Sequence, residues 1–143
     1  MSWKSIKNQQ DVDELNELFD NFHDSCLKEM CFSTGGFVTR ELAMNVIGSP
    51  IARFLFQRQA IEKMVIELEF KDVLQINIKP MGSNQGVDII STRLYFEDGI
   101  FFWSEKDYEF HEKKETTTWI AARSVQWRER ENALGEKMVY MTD

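Results

Sequence analysis

Cysteine, proline and histidine are scarce in this sequence, with two of each in 143 residues, and glycine occurs only seven times. Two cysteines cannot form the dense disulfide framework of a small secreted scaffold. Two histidines leave little from which to build a multi-histidine metal centre. No wholly apolar run exceeds four residues, Ile100–Trp103 being one such run, so no segment reads as a membrane span. The polar stretch from Met1 to Asp11 lacks the apolar core of an export signal. A cytoplasmic setting with reduced thiols is therefore expected. Bases are also in short supply: 17 Lys and Arg stand against 24 acids, a formal net charge of −7. That average field repels polyanions and argues against a phosphate-gripping surface. Neither nucleic acid nor membrane is an expected partner.

Apolar and aromatic residues are plentiful. The chain is 43% hydrophobic and carries 11 Phe, 4 Trp and 3 Tyr, enough for one domain spanning 1–143 to pack a core without a metal or disulfide. Val12, Leu15, Leu18, Phe19 and Phe22 recur at helical spacing, which predicts a helix over about 11–24. Asp11 and Glu14 supply a capping-box-like start. From about 26 to 128 the pattern is of strands. Cys26–Ser33 and Phe37–Asn45 flank Thr34-Gly35-Gly36 and predict a hairpin, although residues 39–47 also suit a short helix, and Gly48-Ser49-Pro50 breaks whichever element forms there. Residues 63–70 and 73–79 each alternate, so a second hairpin is expected about Lys71-Asp72, with a bulge or three-residue loop to match apolar faces. Asp98-Gly99 predicts a third, joining 88–97 to 100–105 and pairing Phe96 with Phe101 and Leu94 with Trp103. A charged loop, a last strand over 116–128 and a tail over 129–143, in which Met138, Val139 and Tyr140 can dock on the rest, complete the chain. The fold class expected is α+β, an N-terminal helix on a strongly bent, mainly antiparallel sheet of about seven to eight strands. Leu15, Phe19, Phe22, Ile66, Leu68, Ile76, Leu94, Phe96, Trp103 and Ile120 are the expected core.

The chemistry-bearing residues do not assemble into a recognised set. His23-Asp24 lacks the further ligands of a metal-dependent phosphohydrolase, and a structural role is expected instead, with His23 bonding the carbonyls that end the helix and Asp24 capping the turn into the first strand. His23, Cys26, Cys31 and His111 are the right types for zinc but lack paired ligand spacing. Cys26 and Cys31, five apart on a strand, should face opposite sides about 16 Å apart, too far for a disulfide. Trp119, Arg123, Trp127, Arg128 and Arg130 interleave aromatics with bases as single-strand binders do, but core tryptophans with arginines paired across the sheet suit the acidic chain better. Pro80–Gly86 lacks the Gly-Lys-Ser/Thr end of a phosphate loop. No metal, cofactor or catalytic residue is expected. Glu67 and Glu69, about 7 Å apart on one strand face, could join His111 in a small hydrolase or lyase. That is the rival to a non-enzymatic binding module.

Six acids from Asp11 to Asp24 have no intervening base. Asp13, Glu17, Asp20 and Asp24 form a stripe opposite the apolar face of the helix. With a polar sheet face that includes Glu67, Glu69, Arg93 and Tyr95, this stripe is the expected partner-binding surface. It suits a protein with a basic surface, and a homo-oligomer is also compatible. The order of elements, with Phe22-His23-Asp24-Ser25-Cys26 after an acidic helix and strands ending in Val125-Gln126-Trp127-Arg128, resembles small bacterial domains of the toxin-immunity type. That resemblance implies a cytoplasmic, non-catalytic binding protein and assigns no individual residue a role.

Overall fold

The computed structural model describes residues 2–142. The helix, α1, is shorter than its periodicity predicts, running Gln9–Leu18. Asn8 is its N-cap and accepts from the Asp11 N–H at 2.9 Å, while the Asp11 carboxylate reaches back to the Lys7 N–H at 2.8 Å. Asp11 thus serves as the returning acid of the box, three residues after the cap. Beyond Phe19 the helix cannot continue, because Asp20, Asn21 and Phe22 have φ of 49°, 50° and 57°. Asp and Asn tolerate this left-handed region, whereas a phenylalanine is strained there. Phe22 holds it with its ring wholly buried in the core.

Ten strands follow the chain: β1 Lys4–Ile6, β2 Ser25–Ser33, β3 Phe37–Val38, β4 Met44–Asn45, β5 Ile51–Arg58, β6 Val65–Asn77, β7 Asp88–Ile89, β8 Leu94–Glu97, β9 Ile100–Ser104 and β10 Trp119–Glu129. Eight make one antiparallel sheet in the order β7-β2-β5-β6-β10-β9-β8, with β1 beside the second half of β10; β3 and β4 pair only with each other. The fold is α+β, as expected, and the sheet curls into a half-barrel. Its curl follows from the topology. β7 and β8 lie at opposite ends of the sheet yet are separated by only 90–93, a link that reaches at most about 18 Å. The expected single strand over 88–97 is therefore divided, and its middle crosses between the two sheet ends. Thr92 is buried there, with its N–H on the Asn21 carbonyl at 2.8 Å.

Two of the three expected hairpins are redrawn. The Asp98-Gly99 turn pairs Leu94 with Trp103, Tyr95 with Phe102 and Phe96 with Phe101, as the spacing predicts. The turn about Lys71-Asp72 does not exist: β6 runs unbroken for 13 residues, with Asp72 at φ 51° bending it and a register shift opposite Ala121/Ala122. The bulge that corrects the apolar phase lies within one strand rather than at a turn. Nor does Cys26–Ser33 pair with Phe37–Asn45. β2 pairs with β5, and 34–49 leaves the sheet as a small arm carrying β3 and β4. A register shift between Leu27 and Glu29 also overturns the opposed cysteines. Cys26 lies beside Gln57 and Cys31 beside Arg53, two positions on the same face of β5. Both thiols are free.

The core lies between α1 and one face of the sheet. Trp103 is fully buried at its centre, with the rings of Phe56, Phe54 and Phe22 at 5.1, 5.8 and 5.9 Å. Of the expected core, Ile76 and Phe96 are partly buried against this cluster and the rest are buried. The helix is locked in place by buried Asn16, whose amide donates to the Leu94 carbonyl at 2.9 Å and accepts from the Leu94 N–H at 2.8 Å. The opposite face of the sheet is covered as well. Segment 105–118 lays Tyr108 and Phe110 over Phe102 and Trp119, and the C-terminal tail crosses β5 and β2.

Candidate functional site

That second cover decides the fate of Glu67 and Glu69. Alternation on β6 predicts a solvated face, but Glu67 is 0% exposed and Glu69 4%. Burying a carboxylate is tolerable only where it is paired and hydrogen-bonded. Glu67 accepts from Arg128 Nε at 2.7 Å, from Arg130 Nη1 at 3.1 Å and from the Tyr140 hydroxyl of the tail. Burial pushes its carboxyl up, but the Tyr140 and Arg128 bonds with both guanidinium charges outweigh this and hold it below its ordinary value. Glu69 accepts from Arg53 Nε at 2.7 Å and Gln126 Nε2 at 2.6 Å. Trp3 stacks over the same guanidiniums, its ring 4.2 Å from Arg128 and 5.4 Å from Arg53. Both acids are therefore withdrawn from the expected partner surface.

Glu29 completes this set. It is 5% exposed and accepts the backbone N–H groups of Val139 and Tyr140, each at 2.8 Å at its nearer oxygen. Burial raises its carboxyl, and the two amides with Lys28 more than reverse the effect, leaving it below its ordinary value. Gln57 Nε2 donates to the carbonyls of Ala133 and Gly135 at 2.9 and 2.8 Å. The tail is thus held by side chains it reaches across the sheet. Its docking was legible in Met138, Val139 and Tyr140; the buried carboxylates that receive it were not.

His111 does not join the glutamates. It stands exposed on a short turn, with Nδ1 3.3 Å from Glu109 and Nε2 3.8 Å from Glu112. Ligand atoms of these three residues lie within 4.8 Å of one another, all in solvent. Nor does the zinc quartet form. His23 Nδ1 meets the Ile90 carbonyl at 2.7 Å and Nε2 faces Asp24 at 3.3 Å. The Ile90 carbonyl and then Asp24 raise its pKa above the usual histidine value. The expected bond from His23 to the carbonyls ending the helix is thus replaced by one to Ile90. Burial raises the Cys31 thiol, which disfavours its reactive thiolate. Trp119 and Trp127 are buried, as core residues rather than stacking platforms.

The expected stripe is divided by the end of the helix, with Asp13 and Glu17 on α1 and Asp20 and Asp24 beyond Leu18. Asp13, Glu17, Asp20 and Asp24 are all exposed. Among the described residues, no Lys or Arg pairs with any of the four. Arg93 is brought to them by the Asn16–Leu94 clasp, and Asp13, Glu17, Asp20 and Arg93 line one shallow depression. Arg93 is itself 3.7 Å from Asp107, which also accepts the Tyr95 hydroxyl. Tyr95 is thereby half-buried, with its phenol pushed up to about 12 by burial and by that bond. Of the eight expected surface residues, the structure groups Asp13, Glu17 and Asp20 with Arg93, leaves Asp24 exposed beside His23, ties Tyr95 to Asp107, and buries Glu67 and Glu69. No helix among the described residues is long and apolar enough to cross a membrane. No protein-family model matches the chain, and neither a curated protein nor a solved structure does.

Proposed function

We propose that this chain is a non-enzymatic protein-binding module that receives a basic partner on the acidic face of α1 and the turn after it. The reading rests on one observation: Asp13, Glu17, Asp20 and Asp24 stay exposed with no lysine or arginine paired to them, only His23 standing 3.3 Å from Asp24, while the carboxylates buried elsewhere are held by arginine, lysine, tyrosine or backbone N–H groups. An uncompensated acidic face concentrates field and steers cations toward it. Arg93 in the same depression adds one positive point, which gives the surface a pattern as well as a sign. The immunity-type resemblance accords with this reading, and a bacterial nuclease toxin has the basic surface that such a face fits. A cytoplasmic setting belongs to the same proposal.

The test is a comparative capture from native cytoplasm. Wild-type protein and a D13N/E17Q/D20N/D24N variant are immobilised in parallel at low ionic strength, and bound proteins are identified by mass spectrometry. A basic protein retained by the wild type and lost from the variant is the expected result. The same proteins retained by both would remove the helix face as the binding surface.

A further inference from the structure

The arm between β2 and β5 has no cover. Its ladder is two residue pairs, Phe37↔Asn45 and Val38↔Met44, too short to hold a ribbon in water unaided. Its neck is nevertheless fixed. A Cβ on Gly35, at φ +84°, would lie 2.4 Å from the Ser49 nitrogen, and one on Gly48 would lie 2.2 Å from the Thr34 oxygen. Only glycine permits the two neck strands to touch backbone to backbone. Beyond this neck Phe37, Val38, Leu42, Met44, Val46 and Ile47 are between 55% and 84% exposed. Together they leave on the order of 700 Å² in water, more than a monomer usually shows in one patch and near the ~800 Å² each partner gives to a stable interface. Leu42, the most exposed of them, sits at φ 68°, where asparagine or glycine would cost less.

Beside the arm lies an open groove of about 470 Å³ lined by Leu27, Met30, Phe32, Phe54, Ile78 and Met81. β2 is bonded to β7 only at Ser25 and Cys26, so from Leu27 onward its outer edge carries no further strand. Phe32 lines the groove and stands just before the chain enters the arm.

We propose that the chain forms a two-fold dimer in which the arm 34–49 of each copy seats its apolar side chains in the groove along β2 of the other. Charge points to a second copy rather than to the basic partner of α1. The arm carries Arg40 against Glu41, and the groove Lys28 and Lys79 against Glu29 and Glu105, so both are locally neutral. Two chains of net charge −7 repel over most approaches, and a neutral apolar surface is where they can meet. Adjacency sets the symmetry. Because arm and groove adjoin at Phe32, a two-fold axis beside that residue engages both arms at once and closes the assembly.

Sedimentation equilibrium of the full chain tests this. The expected mass at about 100 µM is twice the 16.9 kDa of one chain. An arm variant, Leu42→Asp with Val46→Asp, and a groove variant, Ile78→Asp with Met81→Asp, should each weaken dimerisation by at least about tenfold. Their circular dichroism should stay wild-type, since all four side chains are exposed. Mixing the two restores a heterodimer, because one intact arm still meets one intact groove. Amide protection over 37–47 in the wild type should also rise with protein concentration, a readout that needs no variant. A wild-type monomer at that concentration overturns the proposal, as does a dimer indifferent to both variants. So does loss in the arm variant without restoration on mixing, which would mean arm-to-arm contact. Binding to lipid vesicles by a chain that stays monomeric would likewise overturn it.

Discussion

Glu67 shows how a residue read as surface becomes structure. Its two oxygens take two guanidinium donors and one phenol at zero exposure. Glu67→Ala would leave Arg128, Arg130 and the Tyr140 hydroxyl without their shared carboxylate, a loss of about 3–5 kcal/mol of stability measurable by denaturant unfolding. Tyr140→Phe removes one donor to a charged acceptor and should cost about 1.5–3 kcal/mol in the same measurement. Part of this was legible. Arg128 and Arg130 alternate as Glu67 and Glu69 do, and arginines pairing across the sheet were expected. The bond from Tyr140 was not, because the residue stands 73 positions from Glu67 and an apolar tail that can dock does not name the side chain that receives it. Burial of the face follows from that return, and so does the loss of Glu67 and Glu69 from the binding surface.

The tail and the arm are the elements whose behaviour the sequence conceals. The tail is held through ionised Glu29 and Glu67, both with carboxyls below their usual 4.5 in the folded chain. A depressed carboxyl stabilises fully above its unfolded value and loses that contribution as pH falls through the folded one. Tail docking should therefore be constant near neutrality and fail progressively below pH 4.5. Amide exchange at Val139 and Tyr140 reads this directly, and faster exchange on raising pH from 5 to 7, corrected for intrinsic rates, would contradict it. The arm depends on its neck. Gly48→Ala forces a Cβ to within 2.2 Å of the Thr34 carbonyl, so it should shift the arm and lower the thermal midpoint. Gly99→Ala is the control for added bulk, since a Cβ there meets nothing within 4 Å, though its φ of +76° carries a strain of its own. The glycines were visible as turn formers. Their use as a neck was not, since β2 seeks β5 across the arm rather than the adjoining segment. Continuous β6 defeated reading for a similar reason: one left-handed aspartate bends a strand without ending it, and alternation alone does not distinguish a bend from a turn.

At the scale of the whole molecule, curl and charge distribution carry the account. The short link over 90–93 draws the sheet ends together, and the Asn16–Leu94 clasp fixes α1 at that closure with its acids outward. Helix, turn and fold class were legible because they rest on periodicity and on one strong hairpin; the placement of Arg93 among the acids required the curled sheet. Neutralising the four acids should leave stability within about 0.5 kcal/mol of wild type, since exposed substitutions rarely cost more. The most direct measurement is the association rate of the captured basic partner with wild-type and D13N/E17Q/D20N/D24N protein as salt is raised. The wild-type rate should fall steeply between about 0.01 and 0.15 M ionic strength while the variant's slower rate stays nearly flat. Equal rates with equal salt dependence for the two proteins would contradict a binding surface on the acidic face of α1.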